Sequence, residues 1–281
     1  MRAIRSIPTA RRICRKWRRE TKRIGLVPTM GALHEGHLSL IRQARRDNDI
    51  VVVSIFVNPA QFSPGEDYAR YPRSGQRDRA LARQAGADMV FEPNAADMYT
   101  RGFQTSVEVG KLTKHLCGLT RARLFGGVCV VVAKLFEIVR PDIAYFGQKD
   151  YQQFVIISQM VRDLNMDVRL KMLPIVRDRD GLALSSRNQY LTGGQCKLAI
   201  SLYQALRAGR AAIKKRKAKN ARTVERLMHS AIPHASGIRI EYLQVCDPDT
   251  LDRPRKITRP VLLAGALWAG KTRLIDNILV R

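Results

Sequence analysis

The run Ile50-Val-Val-Val-Ser-Ile-Phe-Val57 constrains this chain more than any other stretch. It is apolar on successive residues and dominated by β-branched side chains. It therefore reads as a strand buried on both faces, the kind found in parallel sheets covered by helices. Its surroundings carry the same alternation. Ile24 to Met30 reads as a short buried strand, and Leu38, Leu40, Ile41 and Ala44 then fall at helical spacing before Asp49. Gln76 to Ala85 reads as a helix, Asp88 to Phe91 as a strand and Gly127 to Ile138 as a helix. Asp142 to Phe146 follows as a strand, Gln152 to Leu164 as a helix and Val168 to Leu173 as a strand. Repeated units of this kind predict an α/β fold, a Rossmann-like open parallel sheet with helices on both faces. In such sheets ligands gather at the carboxyl ends of the strands.

The texture changes after Val176. Cys196 to Lys215 and Val224 to Ile232 are helical patterns, and Arg239 to Val245 and Val261 to Ala264 read as strands. The expected division is residues 1–175 for the Rossmann-like domain and 176–281 for a smaller α+β C-terminal domain acting as a lid. The first residues are Arg-rich like a transit peptide. However, Ile4, Ile7, Ile13 and Trp17 form an apolar stripe suited to packing a helix, so the segment is read as part of the fold.

Composition narrows the setting. The chain has 281 residues, enough for a full core, and no apolar run long enough to cross a bilayer, so no membrane partner is expected. Cys14, Cys117, Cys129, Cys196 and Cys246 are odd in number and scattered, which predicts a cytoplasmic protein without a disulfide framework. The net charge is +26, with ten Lys or Arg in residues 1–23 against Glu20, and nine from Arg207 to Arg226 against Glu225, including Lys214 to Lys217. Such patches suit nucleic acid or an anionic surface, but a solvated basic face is the commoner meaning and the one favoured here.

His34-Glu-Gly-His37 sits where the first buried strand hands over to a helix. A helix start offers unpaired N–H groups and partial positive charge, a natural anion site. Imidazoles three residues apart on that turn point the same way and can stabilise charge building on a phosphate. A pair of histidines that merely caps the helix is the bland alternative. Zinc is disfavoured: the spacing is one residue short of His-Glu-x-x-His, with no cysteine pair or third histidine at metal spacing, and no residue is assigned to a metal. Polar clusters follow other strands: Asn58-Pro-Ala-Gln61, Gly147-Gln-Lys149-Asp150 with Gln153, and Gly181 to Asn188. Lys149 and Arg187 can neutralise polyphosphate, Ser185 and Ser186 can donate to it, and Gln61 and Gln153 can hold a small hydroxy-acid. Singly these read as turn residues; their joint position makes the case. By contrast, Gly265 to Thr272 matches the P-loop pattern, but nine residues cannot complete a βαβ core after it and its interior is apolar.

Together these segments resemble the pantothenate synthetase (pantoate–β-alanine ligase) family of the His-x-Gly-His nucleotidyltransferases. The matching stretches are Pro28 to His37, Phe56 to Phe62, Tyr71-Pro-Arg73, Lys134-Leu-Phe136, Tyr145 to Asp150, Gly181 to Asn188, Asp247 to Leu251 and Thr272 to Asn277. The resemblance implies an ATP-dependent ligase, usually a homodimer, that forms pantoyl adenylate from pantoate and Mg-ATP and passes the acyl group to β-alanine. It implies an ATP site of Met30, Gly31, Ala32, Leu33, His34, Glu35, Gly36 and His37 with Gly147, Gln148, Lys149 and Asp150, completed by Val176, Leu184, Ser185, Ser186 and Arg187. Gln61 and Gln153 would hold pantoate, and Gln61 would also face β-alanine. His37 stands in the family's proton-donor position, with His34 and Lys149 beside it in stabilising the transferring phosphate and Mg²⁺ bridging phosphate oxygens. The chain departs from the family where Leu124 replaces a loop histidine, Gln148 a glutamate and Cys117 another glutamate, and Lys271 adds a charge. These departures and the charge of +26 motivate the rival expectation, a catalytically weakened member that holds nucleic acid. The intact His34, His37, Lys149, Ser185, Ser186 and Arg187 set argues for catalysis.

Overall fold

The structure is a computed structural model that describes residues 1–216, 218, 220–257 and 260–281. Lys217, part of the second basic run, lies outside the described residues. The chain divides into two compact units. One holds Met1–Thr113, Arg121–Gly147 and Gln153–Pro174; the other holds Lys114–Thr120, Gln148–Gln152 and Ile175–Arg281.

The first unit is built on β1 (Arg2–Ile4), β2 (Ile24–Thr29), β3 (Ile50–Ile55), β4 (Met89–Phe91), β5 (Ile143–Gly147) and β6 (Arg169–Leu173). They form a six-stranded sheet in the order β1-β4-β3-β2-β5-β6. Every pairing is parallel. The expected parallel sheet is therefore present, with β1 as an edge strand that three residues of sequence do not announce. Its helices are α1 (Ile7–Arg19), α2 (Glu35–Asp47), α3 (Gly75–Gln84), the single turn α4 (Ala95–Met98), α5 (Leu124–Val139) and α6 (Tyr151–Asp163), whose first two residues group with the second unit.

Alternation decides what each sheet face meets. Val27, Val51, Val53 and Val90 pack with Leu38, Ile41 and Ala44 of α2 and Ala82 of α3. The intervening Leu26, Val52 and Met89 are equally buried, so both faces are covered. Aspartates fix the amino ends of the strands. Asp142 accepts from Ile24 N at 2.7 Å, Asp49 from Arg23 N at 2.9 Å and Asp88 from Val51 N at 2.8 Å. The buried face of α1 carries Ala10 and Cys14, with Ile7, Ile13 and Trp17 half-buried beside them. Its Arg11, Arg12, Arg15 and Arg19 are exposed.

The second unit carries α7 (Gly193–Lys214) and α8 (Ala221–Ser230) on an antiparallel sheet of β7 (Ile238–Cys246), β8 (Val261–Ala269) and β9 (Thr272–Val280). Leu202, Leu206, Val224 and Met228 of the helices bury Leu243, Leu263, Leu274 and Ile278 of the strands. The P-loop look-alike is the β8–β9 hairpin, with Gly270 at φ +58° in its turn and Ala269 paired with Thr272. Among the described residues no helix follows it, as the sequence predicts.

Candidate active site

Strand order reverses beside β2, which has β3 on one side and β5 on the other. The crevice at such a switch point is where open α/β sheets bind ligands. At the carboxyl end of β2 lies the loop Met30–Leu33. Gly31 and Ala32 have φ of +84° and +49°, so consecutive backbone N–H groups turn to one side. The N–H groups of Ala32 and Leu33 each donate at 2.8 Å to the Asp78 carboxylate of α3. Asp78 is 1% exposed and was not among the residues singled out from sequence.

The loop delivers His34 to the N-cap of α2 and His37 to its first turn. Their ring centroids are 4.1 Å apart. A side chain at Gly36 would have its Cβ 2.9 Å from Cε1 of His34, so the glycine of the signature makes room for the ring. The His34 backbone N–H donates to Nδ1 of His37 at 3.4 Å. With Nδ1 accepting, the proton of the neutral imidazole belongs on Nε2. Glu35 is exposed and paired with Arg42.

Gln61 is buried and sits in a short 3-10 turn, Pro59–Gln61, after β3. Its amide donates to the Met30 sulfur at 2.9 Å, which joins two of the predicted site segments. Asn58 is the hub behind it. Its amide donates to Gln61 Oε1 at 3.2 Å and to the Gly127 carbonyl at 3.0 Å, while its carbonyl accepts from Tyr99 at 2.7 Å. Arg121 adds a two-pronged pair with Glu66 at 2.8 and 2.5 Å. Gln153 is half-buried on α6, and Gly147 ends β5.

In the second unit, Val176 and Leu184 are brought together by a 3.0 Å backbone bond, closing a small hairpin. Ser185 then caps the turn Ser186–Tyr190, its hydroxyl accepting from Arg187 N at 3.3 Å. Ser186 is buried and Arg187 half-buried. Lys149 lies 3.6 Å from Asp150 within the turn Gln148–Asp150.

The departures from the family pattern have local partners. Gln148 donates to Asn277 Oδ1 at 3.1 Å. Cys117 is buried, its sulfur 3.2 Å from the Tyr242 hydroxyl and 3.5 Å from an Arg273 nitrogen. Arg273 also holds Glu241 at 2.7 Å; burial is outweighed there by the hydrogen bonds from Arg273 and Thr120, which lower that carboxyl to about 2. Leu124 opens α5 as a buried residue rather than standing in a loop, which corrects the sequence expectation. Lys271 is exposed in the β8–β9 turn.

Sequence reasoning missed Asp78, Tyr99, Gly127 and Asp276. For Asp78 a signal existed: it shares the helical spacing of the buried Ala82 and Ala85.

A doubly flanked β2 ending in a His-x-Gly-His helix start defines an α/β protein of the nucleotidyltransferase-like kind. The model of the Pantoate-beta-alanine ligase family matches residues 2–279. A pantothenate synthetase of Thermotoga petrophila is 49% identical over 283 residues, covering 100% of both chains. The crystal structure of pantothenate synthetase from Thermus thermophilus superposes with a TM-score of 0.94 at 43% identity, covering 99% of each chain. A pantoate-beta-alanine ligase from Francisella tularensis, complexed with "Beta-gamma ATP and Beta-alanine", gives a TM-score of 0.82 at 34% identity, covering 99% of this chain and 97% of its own. The chain belongs to the pantoate–β-alanine ligase family, and it is a ligase.

Proposed function

We infer that the chain condenses pantoate with β-alanine at the expense of ATP, releasing AMP and pyrophosphate. The observation that carries this reading is the His34–His37 pair, 4.1 Å apart at the start of α2, in a chain matched end to end by that family. The pantoate carboxylate attacks the α-phosphorus; a P–O bond forms as the bond to pyrophosphate breaks. The β-alanine amine then attacks the acyl carbon, forming C–N while the C–O bond to AMP breaks and the amine sheds a proton.

Each residue has a role that its setting supports. His37, with Nδ1 engaged by the His34 N–H, offers its Nε2 proton to the phosphate oxygens. His34 and the amino end of α2 add donors and positive potential at the same place. Lys149 contributes a point charge to the polyphosphate, and Ser185, Ser186 and Arg187 contribute donors. Met30 to His37, Gly147 to Asp150, Val176 and Leu184 to Arg187 make up the ATP site. Gln61 and Gln153 hold the pantoate hydroxyls and carboxylate, and Gln61 also meets β-alanine. Magnesium enters as Mg-ATP on phosphate oxygens. The ATP and β-alanine bound by the Francisella relative support this substrate set. The proposal includes a homodimer, measurable by light scattering, in the cytoplasm.

The test is pantoate-dependent exchange of labelled pyrophosphate into ATP, with β-alanine left out. His37→Ala should lower exchange by about 10²- to 10⁴-fold and leave the unfolding transition in place. Near-normal exchange by that variant would refute the assignment.

A further inference from the structure

Two adjacent residues of β9 hold two segments that the functional reading assigns to ATP, and nothing in the catalytic scheme above uses them. Asp276 and Asn277 are each 4% exposed. Neighbours in a strand point to opposite faces. Asp276 shares its face with Leu274 and Ile278, which lie in the core under α7 and α8. Asn277 shares the other face with Arg273.

On its face, Asp276 takes a two-pronged pair from Arg177, at 2.5 and 2.8 Å. The same guanidinium donates to the Gly181 carbonyl at 3.0 Å and lies 3.8 Å over the Tyr203 ring of α7. Three contacts thus fix Arg177 within the hairpin that closes through Val176 and Leu184 and leads into Ser185 to Arg187. On the opposite face, the Asn277 amide donates to the carbonyls of Gln148 at 2.9 Å and Lys149 at 3.0 Å. Its own carbonyl accepts from Gln148 Nε2 at 3.1 Å. Both polar atoms of the Asn277 head thus bond to the segment that carries Lys149.

From this juxtaposition we propose that Asp276 and Asn277 are positioning residues for adenylation, setting the Lys149 segment and the Ser185–Arg187 segment in register through one rigid strand. The proposal rests on the functional reading above. It makes the pair act on the step that handles ATP, through Lys149 and the serine loop, without touching the substrate. A displacement of about 1 Å in such a group costs about 10²-fold in rate.

The test compares wild type with Asn277→Asp, Asn277→Ala and Asp276→Asn in two assays. One is pantoate-dependent pyrophosphate–ATP exchange; the other is capture of chemically prepared pantoyl adenylate by β-alanine. The expected result is a loss of about ten- to a hundredfold in exchange, mostly as a raised KM for ATP, with the capture step within about threefold of wild type. Asn277→Asp keeps the size of the side chain but removes both donors, so it should behave like Asn277→Ala. Combined with Lys149→Ala, Asn277→Ala should add little further loss, because both act on one group. Equal losses in both assays, or additive losses with Lys149→Ala, would mean a merely structural role and overturn the proposal. Wild-type exchange with unaffected variants also overturns it, and leaves the functional reading standing. Absence of exchange in the wild type removes both.

Discussion

Replacing Asp78 by asparagine should damage the ATP-side loop out of proportion to a change of one atom. Both carboxylate oxygens are used, each accepting a backbone N–H at 2.8 Å, from Ala32 and from Leu33. Asparagine keeps one acceptor and turns an NH₂ group toward the other N–H. A hydrogen bond to a charged acceptor is worth about 1.5–3 kcal/mol, and a buried donor left facing a donor costs about 1–3 kcal/mol. The terms overlap, so the expected loss is about 3 kcal/mol, or a fall of roughly 6–12 °C in Tm for a chain of this size. The functional effect follows from the backbone. Ala32 holds φ +49°, a left-handed conformation that costs an L-residue about 1–2 kcal/mol. With one of the two bonds gone, the loop is released toward right-handed geometry, and His34 at the next helix start moves with it. Thermal unfolding and pyrophosphate exchange at varied ATP would be measured together. The KM for ATP should rise by about tenfold, with the KM for pantoate much less affected. A Tm within about 2 °C of wild type with an unchanged KM for ATP would refute the reasoning about ~3 kcal/mol and the loop.

The other predictions concern Gly127 and Glu241. A methyl group at Gly127 would stand 2.3 Å from the Ala60 carbonyl oxygen, a backbone atom in the turn that carries Gln61. Gly127→Ala should therefore cost about 1–3 kcal/mol and raise the KM for pantoate more than that for ATP, as steady-state kinetics with either substrate varied would show. Glu241 ionises near 2 in the folded chain, against an ordinary value of 4.5, because burial is outweighed by the hydrogen bonds from Arg273 and Thr120. A depressed folded value stabilises the protein above the unfolded value, and that contribution is lost as pH falls. Its share, about 2 kcal/mol after allowance for screening, should disappear between pH ~4.5 and ~2. Glu241→Gln should flatten that part of the stability–pH curve in urea melts.

Much of the first unit was legible because its strands are buried on both faces and its helices are amphipathic. Both patterns, a continuous apolar run and a helical stripe, survive in any single sequence. The histidine pair was legible for a similar reason, since strand, loop and helix start are contiguous there. What escaped reading depends on distance along the chain. Asp78 looked like one charge among several on a polar helix; its spacing with Ala82 and Ala85 pointed inward, but its two bonds to a loop 46 and 45 residues earlier are not written in any local pattern. β1 is three residues long and exists because the parallel register with β4 supplies its partners. β9 follows apolar β8 across a two-residue turn, and its Thr272-Arg-Leu-Ile-Asp-Asn stretch mixes buried polar with apolar positions. Alternation was hidden there because both faces of the strand are covered, one by α7 and the other by the returning segments 114–120 and 148–152.

Those returning segments bear on whether Gln148, where the family resemblance implies a glutamate, is a defect. Gln148 donates to Asn277 Oδ1 at 3.1 Å, while the Asn277 amide serves the carbonyls of residues 148 and 149. A glutamate in this setting would bring an acceptor against an acceptor. Rotating the Asn277 amide to suit it would withdraw the donors from both carbonyls and leave them facing an oxygen. Either arrangement loses at least one hydrogen bond, worth about 1 kcal/mol, and the segment carrying Lys149 bears the loss. Restoring the family residue by Gln148→Glu should thus lower pantoate-dependent exchange by about three- to tenfold rather than raise it. If the variant exchanged faster than wild type, Gln148 would be a true impairment, and the fit between Gln148 and Asn277 would not be what secures the site.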